Sequence, residues 1–173
     1  MSDGIELRLA GVIRESIVDG PGIRLTVFLQ GCPHDCPGCH NPETHNINGG
    51  YVGNIEKILE AVDADPLLRG ITLSGGEPFL QSEAVLPLVK AIISRNKDIV
   101  VFSGYTFEEL IELSEVRPSI IELLKRTFML IDGRFIIERK NISLLFRGSE
   151  NQRIIDVQKS LETRSAVLFK EYN

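Results

Sequence analysis

IRLTVFLQGCPHDCPGCHNPETH, Ile23–His45, changes character in its middle. Ile23–Leu29 (IRLTVFL) is rich in β-branched and apolar residues and predicts a strand. Gly31–His45 then holds all three cysteines and all three histidines of the chain. Cys32, Cys36 and Cys39 are spaced Cys-x3-Cys-x2-Cys. Three thiols are too few for two disulfides and one short of a four-thiolate metal site. The loop therefore raises a question of ligand count, and its position directly after a strand ties that question to the fold.

Downstream, strands alternate with helices. Ile55, Ile58, Leu59 and Val62 recur at helical spacing behind Asn54, a predicted N-cap. Gly70–Leu73 (GITL) predicts a short buried strand that ends at Ser74-Gly75-Gly76. Val85, Leu88, Val89 and Ile92 mark a second helix, with Pro87 expected in or near its first turn. Ile99–Phe102 (IVVF) is the next strand, again closed by small residues, Ser103-Gly104. Thr106 and Glu109 form a capping box for a helix through Leu110, Ile111 and Leu113, and Pro118 splits this region into two helical pieces. A strand follows near Phe128–Ile131; Asn151–Val157 and Ala166–Phe169 are further candidate strands around Gln158–Thr163.

This alternation implies βαβ units and a mainly parallel sheet. Apolar strands without polar alternation suggest burial on both faces. At 173 residues the chain is expected to form one domain, 1–173, and it is shorter than the about 250 residues of a closed eight-fold barrel. A partial barrel or an open sheet is the expected α/β architecture. Chemistry in such folds gathers at the C-terminal ends of the strands. Both the cysteine loop and Ser74–Glu77 fall there.

Composition narrows the setting. A hydrophobic share of 43% with 25% charged residues suits a soluble globular protein. No run approaches the roughly 18–20 apolar residues of a membrane span, and Met1–Gly4 lacks the basic and apolar regions of a signal peptide. The expectation is a cytoplasmic protein with no membrane partner, where grouped cysteines bind metal or do chemistry. A net charge of −5 argues against nucleic acid as partner. Two metal readings stay open on spacing alone. Zinc bound by Cys32, Cys36, Cys39 and one of His34, His40 or His45 is a legitimate Cys3His set. An iron–sulfur cluster on three thiolates would leave one iron open for chemistry.

Six stretches in order carry more. Asp19–Arg24 (DGPGIR), Gly31–Thr44 (GCPHDCPGCHNPET), Ser74–Pro78 (SGGEP), Gly104–Leu110 (GYTFEEL), Asp132–Phe135 (DGRF) and Arg147–Val157 (RGSENQRIIDV) resemble the radical S-adenosylmethionine superfamily. Within it they resemble the activating proteins of anaerobic (class III) ribonucleoside-triphosphate reductases, over about Ser16 to Val157. Glu150 departs from the small polar residue frequent there.

The resemblance implies an incomplete β/α barrel of the radical S-adenosylmethionine type. It implies one 4Fe–4S cluster per chain on Cys32, Cys36 and Cys39, with S-adenosylmethionine as the fourth ligand. Gly38 and His40, flanking Cys39, would lie against that cofactor, His40 by packing rather than ligation. Ser74, Gly75, Gly76 and Glu77 would receive its methionine end. No side chain is implied as acid, base or nucleophile. The implied reaction is reductive cleavage to a 5′-deoxyadenosyl radical, which makes a glycyl radical on the reductase. Flavodoxin or ferredoxin is the implied electron donor. Tyr105, Arg147, Asn151 and Gln152 are candidates for further polar contacts. An activase of the pyruvate formate-lyase type is the rival within the superfamily, and a non-catalytic zinc-binding module the rival outside it.

Overall fold

The structure is a computed structural model that describes residues 5–173. Met1–Gly4, where the leader expectation begins, lie outside the described residues. β2 (Ile23–Leu29) and β4 (Leu68–Gly75) pair in parallel at the centre of a seven-stranded sheet. β5 (Asp98–Phe102) and β6 (Met129–Asp132) continue the parallel run. The outer strands are antiparallel: β1 (Arg8–Ser16) on β2, β3 (Tyr51–Val52) on β1, and β7 (Arg153–Asp156) on β6. The order β3-β1-β2-β4-β5-β6-β7 makes an α/β fold with a mixed sheet.

The parallel strands are linked through helices. α1 (Ile55–Asp63) precedes β4, α2 (Ser82–Ile93) joins β4 to β5, and α3 (Phe107–Ser114) with α4 (Pro118–Leu124) joins β5 to β6. α5 (Val157–Thr163) follows β7 directly. Local chemistry explains the helix starts. Asn54 Oδ1 accepts from Lys57 N at 2.9 Å. Thr106 Oγ1 accepts from Glu109 N, while Glu109 Oε2 accepts from Thr106 N, so the expected capping box closes.

The two faces of the sheet differ. Leu25, Val27, Leu29, Ile71, Leu73, Ile99 and Val101 form one core with Val85, Leu88 and Ile92 of α2. Across the sheet, Val100, Met129, Ile131 and Ile154 form a second core covered by Phe128, Phe146, Phe169 and Tyr172. On that second face β2 and β4 carry Arg24, Thr26 and Thr72, all buried. Arg24 donates to Thr72 Oγ1, Ile71 O, Pro21 O and Asp98. Asp19 accepts from the hydroxyls of Ser16 and Thr26. β2 and β4 therefore alternate, contrary to the expectation of uniformly apolar strands, whereas β5 and β6 are apolar on both faces as expected. The polar side is buried because each group has a partner.

One strand was not expected, and two further expectations change. The segment before Ser16 contributes β1, a nine-residue strand with little sequence periodicity and a largely exposed middle. Pro87 is the sixth residue of α2, not in its first turn. It sits on the exposed side, where the Glu83 carbonyl can bond water instead of a missing N–H. Ala166–Phe169 supplies only an isolated bridge, Leu168 to Ile155. Among the described residues no helix is long and apolar enough to cross a membrane.

Candidate functional site

Four parallel strands end on the same side, and their following loops enclose a cleft of about 140 Å³. Cys32, Cys36 and Cys39 line it, opposite Ser74, Gly75 and Gly76 from the end of β4. Phe102, Ser103 and Gly104 from the end of β5 also line it, as do Gly133, Phe135 and Gln152 and the three histidines.

The cysteine loop has little regular structure. Gly31 N donates to Thr44 O, Cys32 N to His45 O, and Cys39 N to Cys36 O. Among the three thiols, the Cys39 sulfur accepts the backbone N–H of Asn41 at 3.4 Å. Burial is the main influence on Cys32 and pushes its thiol up to about 11, the His34 hydrogen bond opposing. Burial likewise raises Cys36, against the hydrogen bond from Phe135. Half-buried thiols of this kind gain from a nearby cation that compensates the thiolate charge. Backbone N–H groups aimed at sulfur suit metal-bound thiolates. The donor set thus fits an iron–sulfur cluster.

The histidines are occupied otherwise. His34 Nε2 lies 2.7 Å from Glu77 Oε2, and its ring stands edge-on to Tyr105 at 4.4 Å. His40 packs on Phe135, ring centres 5.0 Å apart, and lines the cleft. His45 Nδ1 pairs with Asp35 at 3.2 Å, while its Nε2 is buried without a partner. Among the described residues no three His, Cys, Asp or Glu side chains assemble around a position for a single metal ion.

The glycines of Ser74–Glu77 have a packing duty of their own. Gly76 N donates to Leu29 O and Glu77 N to Gly31 O, both at 2.8 Å. A Cβ on Gly76 would come 2.2 Å from Gly31 O, so glycine lets β4 close against the root of the cysteine loop. Glu77 does not line the cleft and is buried beneath it. Gly38 has φ +72 and turns the chain into Cys39.

The remaining candidates divide. Arg147 donates to Gln152 O, Tyr172 O and Asn173 Oδ1, binding the last residues to the loop before β7. Asn151 donates to Arg134 O, and Gln152 to Gly133 O while accepting from Gly148 N. These three staple that loop, and of them Gln152 reaches the cleft. Tyr105 backs His34 rather than lining it. Phe102, Ser103 and Phe135 were not singled out from sequence as site residues. The signal for Ser103 was there, since Ser103-Gly104 closes β5 as Ser74-Gly75 closes β4.

A groove of about 600 Å³ adjoins the cleft and shares His40, Ser74 and Phe135 with it. Its walls include Ile17 and Val18 on one side and Ile142 and Leu145 on the other. Ile142 is 92% exposed and Ile17 74%.

A family model for a 4Fe-4S single cluster domain matches residues 18–155. An anaerobic ribonucleoside-triphosphate reductase-activating protein of Escherichia coli K12 is 38% identical over 144 residues, covering 79% of this chain and 90% of its own length. The protein of the same name from Vibrio cholerae is 38% identical over 146 residues, covering 80% and 90%. That of Enterobacteria phage T4 is 34% identical over 145 residues, covering 79% and 86%.

Proposed function

This chain belongs to the family of anaerobic ribonucleoside-triphosphate reductase-activating proteins, and from that premise we propose that it is a single-domain radical S-adenosylmethionine enzyme that installs a glycyl radical on such a reductase. The mixed open sheet is read as the incomplete β/α barrel of that superfamily. The observation that carries the proposal is the shared cleft, which the three cysteines line together with the Ser74–Gly76 strand end.

Cys32, Cys36 and Cys39 would hold three irons of the cluster and leave the fourth for the amino and carboxylate groups of S-adenosylmethionine. Held there, the group would supply one-electron reduction of the cofactor's sulfonium, the chemistry by which a hydrogen atom would be taken from a reductase glycine. The chain's own residues bind, orient and shield. Ser74, Gly75 and Gly76 line the cleft and would receive the methionine end of the cofactor. His40 and Phe135 present a planar wall beside Cys39. No acid or base is required of them. The apolar groove leading to the cleft suits a polypeptide substrate, because exposed apolar walls mark protein contacts. Flavodoxin or ferredoxin is the proposed electron donor.

Anaerobically reconstituted protein, reduced with dithionite and given S-adenosylmethionine, is expected to form 5′-deoxyadenosine and methionine. Iron-loaded protein that forms neither would overturn the proposal. A glycyl radical signal on pyruvate formate-lyase rather than on the reductase would reassign the substrate.

A further inference from the structure

Glu77 ends the Ser-Gly-Gly-Glu stretch, yet its carboxylate turns away from the cleft and is fully buried. Oε1 accepts from Phe79 N at 3.1 Å and Ser103 Oγ at 2.9 Å. Oε2 accepts from Gly104 N at 2.9 Å and lies 2.7 Å from His34 Nε2. His34 stands between Cys32 and Cys36, its side chain only 4% exposed. Gly104 makes room for it: a Cβ there would come 2.3 Å from the imidazole. One carboxylate thus ties together the segments that follow β2, β4 and β5.

We infer that the Glu77–His34 hydrogen bond is the latch that holds the Cys32–Cys36 half of the loop in ligand geometry, which makes both residues positioning residues. The inference rests on the iron–sulfur function proposed above. Residues 33–38 donate no backbone-to-backbone hydrogen bond among the described residues. This half of the loop is consequently held through side chains. A second side-chain tie there, His45 to Asp35, ends on a carboxylate that is 93% exposed and is worth little. The bond to Glu77 is buried, where leaving a polar group unpaired is costly. Residues that orient metal ligands from outside the ligand set change metal affinity by about 10–100-fold when removed.

The test uses the full chain as wild type, His34→Ala, His34→Gln, Glu77→Ala and the double alanine variant. Amide hydrogen exchange of residues 33–38 in the metal-free protein reads the latch without a cluster. Iron loss to a chelator and the spectrum of the reduced, reconstituted protein read its consequence. His34→Ala is expected to exchange faster over 33–38, lose iron about 10–100-fold more readily, and shift its electron paramagnetic resonance spectrum. His34→Gln, whose amide still donates to Oε2, is expected to restore all three. The double variant should lose no more than Glu77→Ala alone, because the two residues share one interaction. Wild-type exchange and iron retention in His34→Ala would overturn the inference, as would additive losses in the double variant. Should Glu77→Ala fail to fold, the two His34 variants decide alone. If wild-type protein takes up no iron while 33–38 still loosen in His34→Ala, the proposed function fails and the latch stands.

Discussion

The two faces of β2 and β4 are built on different terms. Toward the helices, Leu25, Val27, Leu29, Ile71 and Leu73 are fully buried among apolar side chains. Away from them, Arg24, Thr26 and Thr72 are equally buried, but each is held by named partners. The first face is stabilised by area removed from water, which is non-directional. The second depends on matched donors and acceptors and leads toward the cleft through Asp19, which lines the adjoining groove. An apolar face tolerates changes of shape that keep its volume. A polar buried face does not tolerate the loss of one partner.

The sharpest contrast lies between removing a cleft thiol and removing a core side chain. Cys32→Ala, Cys36→Ala and Cys39→Ala are each expected to abolish reductive cleavage of S-adenosylmethionine, while the metal-free variants melt close to wild type. Normal 5′-deoxyadenosine formation by any of them would show that its thiol is not a ligand. On the helix-facing side, Leu73→Ala is expected to cost about 2–5 kcal/mol in denaturant unfolding. Its neighbour Thr72 offers the matched experiment on the other side. Thr72→Val nearly keeps the shape but loses the acceptor for Arg24 and the donor to Asp19 O, at a cost of about 1–3 kcal/mol. A stabilised Thr72→Val would erase the distinction between the faces. Thr106→Ala, which opens the capping box, should cost about 1 kcal/mol. At the groove, Ile142→Asp should leave S-adenosylmethionine cleavage unchanged and lower radical formation on the reductase, read by the glycyl radical signal. Equal loss of both would place Ile142 outside any partner contact.

What the sequence revealed follows the same divide. β2, β4 and β5 were legible because their helix-facing residues are apolar and β-branched, and α1 and α3 because Asn54 and Thr106 announce their starts. β1 was hidden, since its pairing with β2 is long-range and its exposed Val12–Glu15 stretch lacks a clean alternation. The cysteines and the Ser74–Gly76 strand end were visible as motifs, and the cleft brings them together. The duty of Glu77 was not visible. Its partners His34, Ser103 and Gly104 come from distant segments that only the packed sheet brings to one carboxylate.

Electron paramagnetic resonance of the dithionite-reduced, anaerobically reconstituted protein tests the central claim most directly. The account predicts a brown, iron- and sulfide-containing protein whose reduced 4Fe–4S signal changes when S-adenosylmethionine is added, because the cofactor binds the open iron. A colourless protein holding one zinc, or a cluster signal indifferent to S-adenosylmethionine, would contradict it.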